Sequence, residues 1–151
     1  MGHPFEVIIL AENNLNHPRR KARESAMQAL YALEMNNGYP ADILSLYDES
    51  FNDSEDNEYM KQLFHCVVEK TSWADDLISN CLKNWEYGRL ALSDKILLRM
   101  GVSEMYHMED VPPKVSISEM VEIAKIYSTE ESSSFVNGIL DTIYKDYSEI
   151  N

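Results

Sequence analysis

From Ala22 to Ile143 the apolar residues of this chain recur at intervals of three and four, and no stretch alternates apolar and polar between turn signals at both ends. That spacing places side chains on one face of an α-helix, whereas a half-buried strand needs a period of two. The feature leaves little room for a sheet. It predicts an all-α fold of about six or seven helices, with no fixed-period repeat and no low-complexity tract.

The helix ends can be placed from Pro, Gly and capping residues. Pro18 suits a first helical turn, and Ala22, Ala26, Ala29, Leu30 and Leu33 form the stripe that follows. Asn36-Asn37-Gly38 closes it, and Pro40 opens a short second helix through Ile43, Leu44 and Tyr47. The acidic stretch 48–58 reads as a loop. Tyr59, Leu63, Val67, Ala74, Leu77, Ile78, Cys81 and Trp85 then predict one long or gently broken helix over roughly 57–85, since no Gly or Pro intervenes before Gly88. Ser93 is the expected cap of the next helix, whose Leu97, Leu98, Gly101, Val102 and Met105 share a face up to the stop at Pro112-Pro113. Ser116 with Glu119, and Ser128 with Glu131, have the spacing of capping boxes. The second pair opens a last helix with Phe135, Val136, Ile139, Leu140 and Ile143 inward. Residues 1–17 show no clear period and are expected to form an extended or mobile tail ahead of a single domain over 18–151.

Composition narrows the chemistry. The 151 residues carry a formal charge of −13, from 13 Lys and Arg against 26 Asp and Glu. An evenly acidic surface would repel nucleic acid. The charges are not even, however. Arg19, Arg20, Lys21 and Arg23 lie within five positions, while Asp48, Glu49, Asp53, Glu55, Asp56 and Glu58 crowd into eleven. No apolar run approaches the ~18 residues of a membrane span, and Val7–Ala11 is too short for a signal-peptide core. Cys66 and Cys81 stand fifteen apart without a CxxC, as buried thiols of a reducing cytoplasm would.

Catalytic signals are thin. Glu104 and His107 make half of a di-iron helix motif, but the second half is missing. His65 and Cys66 are adjacent and cannot converge from one helix. There is no Gly-rich phosphate loop, no GxSxG and no HExxH. No enzyme, metal or cofactor is expected.

The basic run is more informative. On a helix, Arg19 and Arg23 share a face with Arg20 close by, and Lys21 points elsewhere. Like charges at this spacing, at the positive end of a helix, are unfavourable in isolation. Either they form a solvated helix start, or they form a phosphate-binding element built from guanidinium forks. Ser132, Ser133 and Ser134 precede Phe135, which could stack a single-stranded base if exposed and would be core if buried. Glu131 is explained by its spacing from Ser128 as well as by a ligand.

Two segments together resemble the NusB family of bacterial transcription antitermination factors. RRKARESAMQALYALEM (19–35) is similar to the family's opening helix. LSDKILLRMGVSEMYHMEDVPPKVSISEMVEIAKIYSTEESSSFVNGILDTI (92–143) is similar to its C-terminal half, most clearly in ILLRMGVSEM, PPKVSISEMVEIAK and FVNGILD. Residues 36–88 match mostly in pattern. The resemblance implies two small three-helix subdomains packed across each other. It also implies binding of boxA-type single-stranded RNA in ribosomal RNA leaders, together with NusE, the small-subunit ribosomal protein, in an antitermination complex with RNA polymerase. By position it implies phosphate contacts for Arg19, Arg20, Lys21 and Arg23, and an RNA-facing turn at Glu131, Ser132 and Phe135. The resemblance likewise implies a NusE-facing surface at Tyr31 and Asp94, where an acidic group suits a basic partner. Two departures stand out: a longer segment before the basic run, and a more acidic total charge, which predicts that RNA is held with the partner's help. Other outcomes are an interaction module whose partner supplies the RNA contacts, a homodimer, or an accessory domain like those of ribosomal RNA 5-methylcytosine methyltransferases. The last would need a second domain, against which the length of 151 residues argues.

Overall fold

The computed structural model describes residues 19–48, 55–83 and 86–150, which form seven α-helices and a short 3₁₀ turn without a strand. The expected tail over 1–17, the start at Pro18 and the end position at Trp85 lie outside the described residues.

Helix α1 runs Arg20–Asn36 and ends on Asn37 in the left-handed region at φ 48°, a conformation Asn tolerates better than most residues. Helix α2 (Pro40–Tyr47) begins with its proline at the first position, as the sequence suggests. Helix α3 spans Glu55–Glu69 and α4 spans Thr71–Ser79, so the acidic stretch read as loop to residue 58 is helical from Glu55. The single long pattern over 57–85 is broken at Lys70. There the Thr71 hydroxyl donates to the Val67 carbonyl at 2.7 Å, a local side-chain bond that competes with the helix ladder.

After the 3₁₀ turn Tyr87–Arg89 comes α5 (Leu92–His107), then α6 (Pro113–Tyr127) and α7 (Glu130–Ile150). Three expected caps are corrected here. Ala91, not Ser93, precedes α5. Helix α6 already starts at Pro113, so Ser116 and Glu119 are not a capping box; both are fully buried and face other helices. At α7 the first-turn N–H of Ser132 donates to Thr129 Oγ1 at 3.1 Å, so Thr129 does the work assigned to Ser128.

Helices α1, α2 and α3 pack together, and α5, α6 and α7 form a second three-helix group. Helix α5 belongs to both, touching α1 and α3 on one side and α4, α6 and α7 on others. Its Ile96, Leu97, Leu98, Met100 and Val102 are all buried, which requires a helix apolar on more than one face. Gly101 sits where α7 crosses: a Cβ there would lie 2.8 Å from a Leu140 methyl. Cys66 and Cys81 are free thiols, half-buried rather than buried.

Candidate nucleic-acid interface

The basic run opens α1, and the helix turns part of it inward. Arg23 has a side chain only 3% exposed; its Nε donates to Glu104 at 2.7 Å and its Nη1 to Glu119 at 3.3 Å. Glu104 also accepts from the Tyr59 hydroxyl at 2.5 Å and from Ser116 Oγ at 2.7 Å. Burial, together with Glu104, pushes the Tyr59 hydroxyl above its ordinary range, which keeps it a proton donor. Arg20 grips Glu119 with two nitrogens, at 3.0 and 2.6 Å, while remaining partly exposed. Arg19 lies 4.1 Å over the Tyr59 ring and reaches Asp110 at 2.9 Å. Lys21 points to solvent.

The shared face of Arg19, Arg20 and Arg23 read from spacing is therefore present, but it faces α5 and α6. Arg23, carried over as a phosphate contact, is a buried countercharge for two carboxylates. Arg19, Arg20 and Lys21 keep surface that a phosphate could reach. Glu104 and His107 part company: Glu104 serves Arg23, and the His107 ring meets Trp73 edge-on at 4.5 Å. No metal-binding group of carboxylates, His and Cys occurs among the described residues.

The second set of expected residues converges. Glu131, Ser132 and Phe135, from the start of α7, line one cavity of about 220 Å³ with Asp94 of α5, Thr129, and Arg89, Leu90 and Ala91 ahead of α5. Phe135 is half-buried: it leans on the core and still lines the cavity, so the exposed and buried alternatives each hold in part. Glu131 is exposed. Asp94 is 8% exposed, and its Oδ2 receives a long hydrogen bond of 3.4 Å from Ser132 Oγ. Its Oδ1 has no partner among the described residues. Burial raises the pKa of this carboxyl, and the Ser132 contact only partly opposes the shift.

Tyr31 lies elsewhere. It lines a groove of about 480 Å³ with Met27, Gln28, Ala32, Tyr47, Ser93 and Tyr127. Tyr31 and Tyr127 are 42% and 43% exposed, and Gln28 donates to the Tyr127 hydroxyl at 3.3 Å. Helices α1 and α6 thus run in the same direction, with Arg20 on Glu119 and, eight residues further in each, Gln28 on Tyr127. The eleven residues from Arg20 to Tyr31 set the basic end about 16 Å from this groove. Ser93 lines the groove and Asp94 lines the cavity, so the first turn of α5 divides the two, and Asp94 falls on the side of Phe135. Sequence reasoning missed Arg89 and Tyr127. Tyr127 ends the α6 stripe, where the helix runs off the core, and that terminal position was the available signal.

The model of the NusB family matches residues 20–145. The transcription antitermination protein NusB of Methylacidiphilum infernorum (isolate V4) is 46% identical over 130 residues, covering 85% of this chain and 91% of its own. Among solved structures, T. maritima NusB superposes with a TM-score of 0.79 at 37% identity, over 85% of this chain and 91% of that one. A chain from a crystal structure of the antitermination factors NusB and NusE in complex with double-stranded RNA gives 0.77 at 29% identity, over 85% of this chain and 97% of that one. With seven helices in the same arrangement and the match running from the first residue of α1 into α7, the chain belongs to the NusB family.

Proposed function

We propose that this chain is a non-enzymatic transcription antitermination factor of the cytoplasm. It binds boxA-type RNA of ribosomal RNA leaders together with NusE, and the pair acts with RNA polymerase. The observation that carries this is the match over α1 to α7 to a chain found in complex with NusE and RNA. The geometry supports a division of labour. Arg19, Arg20 and Lys21 hold phosphates at the start of α1, with Arg23 fixing that helix end from inside. Phe135, Ser132 and Glu131 meet bases at the α7 cavity, and the aromatic groove around Tyr31 receives NusE.

The test is fluorescence anisotropy of labelled boxA RNA, with and without NusE, at two salt concentrations. Binding is expected to tighten when NusE is added and to weaken with salt. Equal binding of boxA and a scrambled RNA by the pair would sink the reading.

One observation favours a second reading, in which the partner alone contacts RNA: Arg19 and Arg20 are engaged by Asp110 and Glu119. Replacing Arg19, Arg20 and Lys21 by Ala separates the two. Unchanged RNA affinity of the pair favours the second. Arg23 must be left out of that set, because its loss would unbalance the core.

A further inference from the structure

Ahead of the described fold the chain carries Phe5, Val7, Ile8, Ile9, Leu10 and Ala11, an apolar run interrupted only by Glu6. Left in water, a run of this kind is a liability, because it pairs readily with other chains. The groove around Tyr31 is the surface that suits it. None of the residues lining that groove is charged, and Met27, Ala32 and the rings of Tyr31, Tyr47 and Tyr127 make it largely apolar. Met35, one helical turn beyond Tyr31 on α1, is 62% exposed and lengthens the apolar surface. Two other cavities suit the run poorly. One carries Asp94 and Glu131, which would repel Glu6. The other, about 520 Å³ between α6 and α7, carries Lys114, Glu122, Lys125 and Asp141, whose hydration an isoleucine would strip without return.

The chain is long enough for the run to reach this groove. Nine positions separate Leu10 from Arg19, a span of at most ~30 Å when extended. Tyr31 lies only about 16 Å along α1 from Arg20. To arrive there the chain has to double back at the start of α1. Asn13, Asn14, Asn16 and Pro18, which stand between the run and the helix, are residue types that turns favour. The groove of a second copy is the competing destination, and the tether decides against it. A linker this short holds the run beside its own groove at an effective concentration of roughly 1 mM, which a dilute second copy does not match.

We propose that residues 5–11 dock in the Tyr31 groove of their own chain and compete there with the partner protein. The competition rests on the reading above that the groove receives NusE; the docking itself does not. With an intrinsic docking constant of about 0.1 mM, a tether at roughly 1 mM fills about nine-tenths of the grooves. Partner affinity then falls about tenfold, because only the open fraction is competent to bind. By the same linkage a bound partner expels the run.

The experiment has two arms, both on the full chain. In the first, Ile8 is replaced by the apolar photoreactive residue benzoylphenylalanine, and the irradiated protein is sized on a denaturing gel and digested for mass spectrometry. Cross-links within one chain to the peptides that hold Tyr31 or Tyr127 are expected. Absence of cross-links, or cross-links confined to other surfaces, overturns the proposal. So does a link between two chains, which places the run in a second copy's groove. In the second arm, anisotropy of labelled NusE compares the unaltered chain with one carrying Ile8→Asp and Ile9→Asp, which the groove should reject. The variant is expected to bind NusE about tenfold more tightly. Equal affinity of the two chains overturns the competition. If neither chain binds NusE while the cross-link within one chain still forms, the docking is upheld and the partner reading of the groove has failed.

Discussion

Glu104 and Glu119 have no exposed surface, and Arg23 is the cation that reaches both. Removing one member of such a buried set leaves charge without compensation, at a cost of about 3–5 kcal/mol. Arg23→Ala is expected to lose roughly that much stability in urea unfolding, whereas Lys21→Ala, at an exposed position, should stay within about 0.5 kcal/mol. Equal effects would contradict the placement of the two side chains. Asp94 gives a prediction of opposite sign. Burial raises its pKa in the folded state, so the folded chain binds the proton more tightly than the unfolded chain does. Its carboxylate therefore destabilises the fold increasingly as pH rises from the ordinary aspartate range through the raised folded value. Asp94→Asn removes that penalty. The variant should melt above the unaltered chain at pH 7, and the difference should close as the pH falls below the ordinary aspartate pKa. A difference that is constant with pH would show that the carboxyl is not desolvated.

At the scale of elements, the point where α5 and α7 cross is the tightest contact to test. A Cβ on Gly101 would come within 2.8 and 2.9 Å of the two Leu140 methyls, and Leu140 is fully buried with nowhere to swing. Gly101→Ala gains about 1 kcal/mol of helix propensity but overpacks the crossing at a cost of about 1–3 kcal/mol. A net loss near 1 kcal/mol is expected by chemical denaturation. Combined with Leu140→Ala the two should be less damaging than their sum, since the second change opens the space the first one needs. Additive losses would mean that the helices do not meet there. The period of three and four made such helices legible in the sequence, and so did the proline start of α2, whereas Pro112-Pro113, read as a stop, proved also to open α6. What it could not show was which polar residues belong inside. Ser116 and Glu119 have capping-box spacing, yet they face Glu104 and Arg23, because the partners that bury them lie about a hundred positions away in the case of Arg20 and Arg23. Lys70 shows the converse. A local bond from Thr71 to Val67 ended a stripe that periodicity carried through to residue 85. The candidate site was legible in parts, as the residues Glu131, Ser132 and Phe135. Their meeting with Arg89 and Asp94 is a product of how α5 and α7 pack.

For the whole molecule, a charge of −13 has to coexist with an anionic ligand. The ion pairs explain how weak the positive end is. Arg23 is spent internally, Arg19 and Arg20 are shared with Asp110 and Glu119, and Lys21 alone of the run is fully displayed. Each phosphate neutralised on a single strand contributes about 0.7 to the slope of log affinity against log salt. Three cations at most can act at the start of α1, so the chain alone should show a slope no steeper than roughly −2. The remaining residues are net acidic, which would suit a basic partner whose complementary charge speeds encounter and adds its own phosphate contacts. Salt titrations of boxA binding are expected to give a shallow slope for the chain, a steeper one for the pair with NusE, and a slope near zero for the chain carrying Ala at 19, 20 and 21. A chain that alone gave a slope of about −5 would need more free cations than α1 displays, and the basic contacts would then have to be sought on another face.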